Sequence, residues 1–456
     1  MKSRIPFRLK ASVGVLTALL SVAPLSAQSP AQQPTLKVLY TFRDFGTPNG
    51  IVEASPGKFL GMLDTPPGVF SITSGGSYQN VYSFPPNGSG IFAIGLTPAL
   101  NSQAYGSAEN SGPVTAFSEL FSIAPDGKLT THSYNGTTQG TPNIPVQHPD
   151  GHLYSIFGIV NGSQTFSRMD YAGNFTPLYT FTGGGYPGFD TMFLGAGGDF
   201  YGVWLTTSTA AGIYRITPSG AFSWIVPSFP TGGINNEPVG LLQADDGNLY
   251  GTLPQNGPGA GSIYRVTPDG KMNTIYQFKN PELGFPGRMI EASDGNLYGG
   301  AEGQFATGYH GYSTIFRINP ATAQFETVFA LKDARLGGCP CQLVQGSDGK
   351  IYGAAMNLGT YEAGTIFMLD AGLPPPKPQL GLINPSAGAV GQQVLLWGRY
   401  LLGTTAVSFN GAPATSFGVP SSQGVWVTVP AGATTGPVTV TTPNGSFTTT
   451  SSFTVQ

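Results

Sequence analysis

Short runs in which apolar and polar residues alternate recur along most of the chain and predict β-strands. The clearest stretch, residues 239–278, has runs at 240–244, 248–252, 262–267 and 274–278. Asp246-Gly247 separates the first two runs and Asp269-Gly270 the last two. Asp-Gly is a hairpin signal because glycine adopts positive φ without steric cost. Four short antiparallel strands in one unit predict a blade of a β-propeller.

This unit repeats along the chain. The phrase at 293–299, Ser-Asp-Gly-Asn-Leu-Tyr-Gly, returns in close or looser form, and its tyrosine position recurs every 45 to 54 residues, at Leu60, Tyr105, Tyr154, Tyr201, Tyr250, Tyr298 and Tyr352. Seven copies at this period predict an all-β, seven-bladed β-propeller over residues 36–370. The seventh copy lacks a fourth strand, whereas residues 38–42 match the fourth strands of other copies. We therefore expect the N-terminal strand to complete the last blade and close the ring.

The alternating strand directions divide such a ring into two faces. The tight hairpin turns of every blade lie on one side, here called the turn face. The loops between second and third strands, and the connections between blades, lie on the other side, here called the loop face. Because the longer and more variable segments share the loop face, binding is expected there.

The composition of the sequence changes after the last copy of the repeat. Residues 371–378 contain four prolines and predict a stiff, extended linker. Residues 379–456 hold further alternating runs, such as 425–429 and 437–441, and a single charge, Arg399. Short strands with Asn-Gly hairpin turns predict a β-sandwich.

Two family resemblances rest on these residues. Segments 383–391, 396–401 and 407–411 resemble the IPT/TIG immunoglobulin-like domain over nearly all of residues 379–456. That resemblance implies an interaction or spacer module on an extracellular protein. The repeated Asp-Gly-Asn-Leu-Tyr-Gly, Ile-Tyr-Arg-Val-Thr-Pro-Asp-Gly and Ile-Tyr-Gln-Phe segments resemble the bacterial GloVer tandem β-strand repeat. That family is found on exported proteins, and the resemblance implies no activity.

The N-terminus predicts export. Within residues 1–27, basic residues precede an apolar run at 13–22, and Leu25-Ser26-Ala27 offers a cleavage site, as in a secretory signal peptide. The alternative, an uncleaved anchor, is disfavoured because the apolar run is short for a bilayer. Residues 28–35 form a short segment before the propeller. A secreted or surface- or envelope-associated bacterial protein, with no transmembrane segment after cleavage, is expected.

Composition narrows the partners and the chemistry. Charged residues make up 9% of the chain and the net charge is −3, so no basic surface for nucleic acid is expected. None of the standard catalytic, nucleotide-binding or metal-binding signatures is present, so no catalytic residue, cofactor or metal is assigned. The only two cysteines, Cys339 and Cys341, predict a local disulfide in an exported chain; free thiols or a redox or metal role are the alternatives.

A quieter pattern lies seven residues before the tyrosine positions, on the predicted innermost strands. Five of the seven copies carry Glu or Gln there: Glu53, Gln147, Gln243, Glu291 and Gln345. One hypothesis is a polar collar around the central channel that holds water or a cation. The favoured hypothesis is that these side chains satisfy unpaired backbone groups at the strand edge.

Aromatic and polar residues of the predicted loops are the binding candidates. They are Trp204, Asn235, Asn236, Glu237, Phe305, Tyr309, His310, Tyr312, Tyr361 and Glu362. Exposed rings beside amides and carboxylates suit a saccharide or a protein ligand, since rings stack on apolar faces and polar groups fix orientation. The alternative is that the aromatics are buried inside the loops.

Three functions follow from these patterns. The first is an exported, non-enzymatic binding or scaffold protein whose loop face recognises an extracellular saccharide or protein. The second is a propeller-type lyase or glycan-active enzyme, which needs acids, histidines or arginines around the channel mouth. The third is a purely structural component of the cell envelope.

Overall fold

A computed structural model describes residues 33–43, 47–64, 67–84, 91–110, 117–132, 143–160, 163–182, 184–188, 192–231, 237–254, 261–279, 285–302 and 313–456. Nearly every element in this part of the chain is a β-strand. The β-branched and aromatic runs form the strands, and the Asp-Gly pairs lie at the hairpins between them.

Seven antiparallel sheets follow one another along the repeats, numbered here in chain order. The first three are β2 (Pro48–Ser55), β3 (Lys58–Asp64), β4 (Pro67–Thr73) and β5 (Tyr78–Ser83); β6 (Ile91–Pro98), β7 (Ala104–Asn110), β8 (Phe117–Ile123) and β9 (Leu129–His132); and β10 (Val146–Gln147), β11 (Leu153–Val160), β12 (Ser163–Met169) and β13 (Phe175–Thr180). In the fourth, two short strands pair with the same neighbour: β14 (Tyr186–Pro187) and β15 (Phe193–Leu194) both pair with β16 (Phe200–Thr207), followed by β17 (Ala210–Ile216) and β18 (Phe222–Pro230).

The fifth and sixth sheets are β19 (Val239–Gln243), β20 (Leu249–Leu253), β21 (Ser262–Val266) and β22 (Met272–Gln277); and β23 (Phe285–Glu291), β24 (Leu297–Glu302), β25 (Ser313–Ile318) and β26 (Phe325–Leu331). A short 3₁₀ turn, Ala334–Leu336, precedes the seventh sheet. That sheet holds β27 (Gly338–Gln345), β28 (Ile351–Asn357), β29 (Thr365–Asp370) and the N-terminal strand β1 (Thr35–Thr41). β1 pairs antiparallel with β29, from Thr35 opposite Asp370 to Thr41 opposite Thr365, which is the pairing that the incomplete seventh copy predicts.

The cores of this region lie between sheets. Each buried cluster joins two neighbouring sheets, from the first and second through the sixth and seventh. A further cluster joins the seventh sheet to the first, through Tyr352 and Ile366 on one side and Phe59 and Phe70 on the other. Burial of apolar area is the main favourable term in folding, so each sheet depends on both of its neighbours.

The Gly that ends the repeated phrase is required by this packing. In six sheets it lies opposite an aromatic residue of the third strand, and a Cβ added there would overlap the ring: Gly61 with Phe70, Gly106 with Phe121, Gly202 with Tyr214, Gly251 with Tyr264, Gly299 with Phe316 and Gly353 with Phe367. In the third sheet Ser155 takes the glycine position and faces Ser167 instead of a ring. The glycine therefore makes room for an aromatic core residue.

The tyrosine of the phrase is tied to its own turn. The Tyr250 hydroxyl donates to the Asp246 carboxylate at 2.7 Å, and the Asn248 N–H donates to the same carboxylate at 3.0 Å. Burial acts to raise the pKa of Asp246, but these hydrogen bonds outweigh it and lower that pKa. Equivalent hydroxyl–carboxylate bonds occur at Tyr154–Asp150, Tyr298–Asp294 and Tyr352–Asp348. The phrase is thus a hairpin with a buried ring anchored to it.

Two further sheets form the C-terminal region. One contains β30 (Gln379–Asn384), β32 (Gln393–Arg399), β36 (Gly424–Thr428) and β35 (Phe417–Ser421); the other contains β31 (Ala387–Gly388), β38 (Gly445–Val455), β37 (Gly436–Thr442), β33 (Ala406–Phe409) and β34 (Ala412–Pro413). Val394 and Val425 of one sheet share a buried cluster with Phe409 and Val438 of the other. The alternating runs of this region therefore bury one face of each sheet against the other.

Two tyrosines of the fifth sheet, Tyr250 and Tyr264, predict opposite effects of the same substitution. The Tyr264 hydroxyl is buried and has no hydrogen-bond partner among the described residues, and phenylalanine occupies its position in four other sheets. Tyr264→Phe should raise the free energy of unfolding by about 1 kcal/mol, because a buried, unpaired hydroxyl is costly. Tyr250→Phe is the control and should lower it by about 1–2 kcal/mol, because it removes the donor to Asp246. Urea denaturation measures both, and equal changes would contradict the assignment.

Candidate functional site

The five Glu and Gln residues of the inner strands join neighbouring sheets. Each accepts a hydrogen bond from a backbone N–H in the first turn of the preceding sheet. The bonds are Gln147 from Leu100 at 3.2 Å, Gln243 from Ala196 at 2.9 Å, Glu291 from Asp245 at 3.0 Å, Gln345 from Ser293 at 2.8 Å and Glu53 from Ser347 at 2.9 Å. We call these bonds the turn-face clamps. The last of them joins the first sheet to the seventh.

The choice between Gln and Glu follows from the second partner. The amide nitrogens of Gln243 and Gln345 donate to carbonyls of their own turns, Gly247 at 3.2 Å and Gly349 at 3.1 Å. Glu53 instead accepts from the Gly57 N–H at 2.8 Å, which an amide nitrogen could not do. Burial raises the pKa of Glu53, and the hydrogen bonds from Gly57 and Ser347 partly offset it.

These contacts are made to backbone groups, but to those of the neighbouring sheet's turn and not to the edge of the inner strand itself. The side-chain oxygens point at N–H groups of the turns, which is the geometry of an acceptor already in use. Among the described residues, no three His, Cys, Asp or Glu side chains lie close enough together to hold a metal ion. The collar residues therefore act in packing the sheets.

Two junctions lack a clamp because the residue types exclude it. At the junction of the fourth and third sheets, Leu194 replaces the acceptor and Pro149 replaces the donor, and proline has no N–H. At the junction of the second and first sheets, Pro98 replaces the acceptor, and Ser55 pairs with Lys58 in its own hairpin. At both junctions the side-chain acceptor is missing. The donor position is either a proline without an N–H, as at Pro149, or a residue paired within its own hairpin, as at Ser55.

The C-terminal sheets cover the turn face through Arg399. Its guanidinium pairs with Asp245, and with Glu291 at 3.2 Å, so one clamp residue serves the second contact as well. The Glu291 side chain is only 7% exposed. Burial raises the pKa of Glu291, partly offset by the Asp245 N–H and by Arg399. The only charge of residues 379–456 therefore lies where two repeat carboxylates meet it.

Polar side chains of the C-terminal sheets also bond to turns of other sheets. Asn384 donates to the Pro149 carbonyl at 2.8 Å, and Asn444 donates to the Ser347 carbonyl at 2.7 Å. The Trp426 indole N–H donates to the Leu100 carbonyl at 3.3 Å. Together with the Arg399 pairs, these contacts reach turns of the second, third, fifth and seventh sheets and the end of the inner strand of the sixth sheet.

The proline-rich linker also packs on the repeats. The Ser293 hydroxyl donates to the Pro374 carbonyl at 2.6 Å, and Asn444 donates to the Pro376 carbonyl at 3.2 Å. The linker and the C-terminal sheets are therefore both bonded to the turn face, which the expectation of an extended linker did not include. Proline content predicted the stiffness of the segment and carried no information on what it contacts.

Trp204 was predicted among the loop-face aromatics, and that placement is wrong. Trp204 is 4% exposed, and its ring stacks on Phe181 at 3.9 Å. Its indole N–H donates to the Gly184 carbonyl at 3.3 Å. β16 continues through this position, so the ring belongs to the core between the third and fourth sheets.

Glu237 lies at a polar contact on the loop face. It accepts a hydrogen bond from the Tyr186 hydroxyl at 2.6 Å, and this bond, helped by burial, raises the pKa of Tyr186 to about 12. Tyr186 is 40% exposed, so its ring remains accessible while its hydroxyl is fixed. This pair joins the first strand of the fourth sheet, β14, to the connection between the fourth and fifth sheets.

Tyr361 and Glu362 lie in the loop between the second and third strands of the seventh sheet. Both are exposed, and Tyr361 is 47% exposed. The Arg43 guanidinium lies 4.5 Å from the centre of the Tyr361 ring. Arg43 was missed from the sequence, because it follows the N-terminal strand and only the pairing of β1 with β29 brings it here.

The other loop-face candidates lie outside the described residues: Asn235, Asn236, Phe305, Tyr309, His310 and Tyr312. Cys339 is disulfide-bonded, and the chain has one other cysteine, Cys341.

Arg288, on the inner strand β23, was also missed from the sequence. Burial lowers the pKa of its guanidinium to about 10. The available signal was a cation three residues before Glu291 on the same inner strand.

The comparisons with known proteins agree with this architecture. Residues 187–373, which span the fourth to seventh sheets, match the Gloeobacter/Verrucomicrobia repeat. These residues are therefore repeats of the type that the sequence resembles. No curated protein matches the sequence.

Solved structures place the fold. A streptogramin B lyase structure gives a TM-score of 0.55 at 16% identity, over 75% of this chain and 99% of that chain. Virginiamycin B lyase from Staphylococcus aureus gives a TM-score of 0.54 at 17% identity, over 74% of this chain and 99% of that chain. At such identities the likeness shows the fold alone, which is all-β and β-propeller-like. Within the part of the chain that is described, no helix has the length and apolar character to cross a membrane.

The clamps predict a measurable contribution of one glutamine. Gln345→Leu removes the acceptor of the Ser293 N–H and the donor to the Gly349 carbonyl, and it places leucine where the fourth sheet carries Leu194. We expect the free energy of unfolding to fall by about 2–3 kcal/mol, because buried backbone groups lose their partners. Gln324→Leu, at an exposed position, is the control and should change it by less than about 0.5 kcal/mol. Equal effects in chemical denaturation would show that the clamp does not stabilise the junction.

The Arg399 contact predicts a local opening of the turn face. Arg399→Met leaves the Glu291 carboxylate unpaired, so we expect a loss of about 1–3 kcal/mol and faster amide hydrogen exchange around Asp245. Arg317→Met, which breaks an exposed pair with Glu326, is the matched control and should cost less than about 1 kcal/mol. Unchanged exchange at Asp245 in Arg399→Met would sink the docking role of this contact.

Proposed function

We propose that the protein is an exported, non-enzymatic binding protein whose loop face recognises an extracellular ligand. In this proposal residues 1–27 are a signal peptide and residues 36–370 form a seven-bladed β-propeller closed by the N-terminal strand. The linker, residues 371–378, leads to an IPT/TIG immunoglobulin-like domain at 379–456. The mature protein is secreted or associated with the bacterial cell surface.

The fold part of the proposal is supported by the buried clusters. Seven clusters, each between two neighbouring sheets, account for every junction of a seven-membered ring, including that of the seventh sheet with the first. The two C-terminal sheets, packed around one apolar cluster, are what an immunoglobulin-like sandwich requires.

The occupied turn face is the observation that carries the functional proposal. Arg399, Asn384, Asn444 and Trp426 bond to turns of four sheets and to the inner strand of a fifth, so an extracellular partner meets that face only at its margins. The loop face keeps its exposed rings. Propeller loops can vary without disturbing the sheets that hold them, which makes this face the natural place for recognition.

Two loop-face tyrosines are the binding groups that we assign. Tyr186 has its hydroxyl fixed by Glu237, and Tyr361 stacks with the Arg43 guanidinium. A ring whose polar partner is already placed loses little side-chain entropy on binding. Rings flanked by a carboxylate and a guanidinium suit the apolar faces and hydroxyl groups of a saccharide, and a protein ligand is the other outcome of the test.

An enzyme remains the competing candidate, because two structures of similar fold are lyases by name. Their names concern those proteins, and one fold hosts unrelated activities. In the described residues, three charged side chains converge at Asp245, Glu291 and Arg399, but they pair with one another beneath the C-terminal sheets. That arrangement stabilises docking and leaves no free acid or base there. The binding proposal is therefore preferred.

The loop-face proposal is tested by measuring binding of the mature protein to a glycan array and, in parallel, to envelope proteins of the bacterium that produces it. Tyr186→Ala combined with Tyr361→Ala should weaken the detected binding at least about 10-fold, as expected when aromatic anchors are lost. Trp224→Ala is the control, since Trp224 is 40% exposed on the outer strand β18 and belongs to neither loop. Binding that survives the double substitution would overturn the assignment. Chemical change of the ligand would favour the enzyme.

A further inference from the structure

The junction of the first and second sheets differs from the clamped junctions. The inner strand β6 ends at Pro98, whose ring offers no acceptor to the neighbouring turn. A cavity of about 320 Å³ lies beside Pro98. Its walls come from the first sheet, the second sheet and the C-terminal strand β35 through Val419 and Pro420. The cavity therefore lies at a junction without a clamp and is bounded in part by the C-terminal sheets.

The lining of this cavity is divided into an apolar floor and a polar rim. Leu60, Val81 and Ile123 supply apolar surface from two neighbouring sheets. Lys58 and Gln79 also line the cavity, and both are exposed, so they form its polar rim. Small-molecule pockets of about 300 Å³ and above combine such an apolar body with a few polar groups that fix orientation.

The two charged residues of the rim are not equivalent. Asp126 is the turn residue of its hairpin, and its carboxylate accepts the Lys128 N–H at 3.0 Å, as Asp170 accepts the Ala172 N–H in the equivalent hairpin of the third sheet. Lys58 forms no ion pair with another described residue. Its ammonium is therefore the group that can meet a charge on a ligand.

We propose that this cavity binds a small amphipathic anion, with an apolar body against Leu60, Val81 and Ile123 and a carboxylate or sulfonate at Lys58. The site lies on the turn face at the seam with the C-terminal sheets. It is independent of the proposed loop-face recognition, so either proposal can fail without the other. It also gives the C-terminal region a part in ligand binding, since Val419 and Pro420 form one wall.

The probe for this site is 8-anilinonaphthalene-1-sulfonate, which has an apolar aromatic body and one sulfonate and fluoresces in apolar surroundings. We expect saturable binding to the folded, full-length mature protein. Gln79→Trp should fill the mouth of the cavity and weaken binding at least about 10-fold, in line with blocking a preformed pocket. The control is Asn80→Trp, on the same strand but outside the cavity lining. Equal affinities for these two variants would overturn the proposal.

A second pair of variants tests whether the charge of Lys58 contributes to binding. Lys58→Gln should weaken probe binding about 3–10-fold, as expected for one charge-assisted contact, whereas Lys128→Gln, an exposed lysine outside the lining, should leave it unchanged. Octanoate should displace the probe, and octylammonium, with the same apolar length and the opposite charge, should not. Displacement by octylammonium alone would overturn the anionic ligand class, and near-UV circular dichroism confirms that each variant is folded.

Discussion

The interaction on which this structure depends is the hydrogen bond from an inner-strand Glu or Gln to the backbone of the preceding sheet's turn. A sheet of four strands buries its faces only when neighbours cover both of them, and apolar contact alone does not fix how far each sheet slides along the next. A side-chain acceptor aimed at one N–H does fix it. The bond from Ser347 to Glu53 applies the same constraint between the seventh sheet and the first. The apolar clusters supply the energy, and the clamps supply the register.

This constraint also explains why the turn face is the docking face. The turns of the fifth, sixth and seventh sheets are held twice, by the Tyr–Asp bond within the phrase and by a clamp to the next sheet, so their carbonyls stand in fixed positions. A rigid array of carbonyls is a suitable acceptor surface for a module with almost no charge, and Asn384, Asn444 and Trp426 use it in that way. Glu291 has no own-turn partner of the kind that Gln243 and Gln345 have, and Arg399 takes that place.

Sequence reasoning succeeded where a pattern is local or periodic. The strand runs, the Asp-Gly hairpins and the pairing of residues 38–42 with the seventh copy follow from period and turn chemistry alone. The Glu/Gln positions were also found, but their partners were not, because a backbone donor on another repeat leaves no mark on side-chain identity. Pro149 is the exception, since it removes the donor where Leu194 removes the acceptor. The prediction for Trp204 was wrong because an aromatic residue near the end of a strand cannot be distinguished from one in the following loop until the end of the strand is known.

Docking of the C-terminal region had one sequence signal, and its meaning was structural. A single arginine in 78 otherwise uncharged residues is unusual. A charge that was simply exposed on the surface of the sandwich would be expected among other charged residues. Because burying a guanidinium is costly without a carboxylate, its place predicts an acidic partner on another part of the chain. The same logic separates the two faces in function. The turn face uses its acids and amides to hold sheets and C-terminal region together, whereas the loop face holds its rings with Glu237 and Arg43 and leaves them exposed. Groups already committed to structure are poor candidates for chemistry, and this is the physical ground for proposing recognition on the face that the fold leaves open.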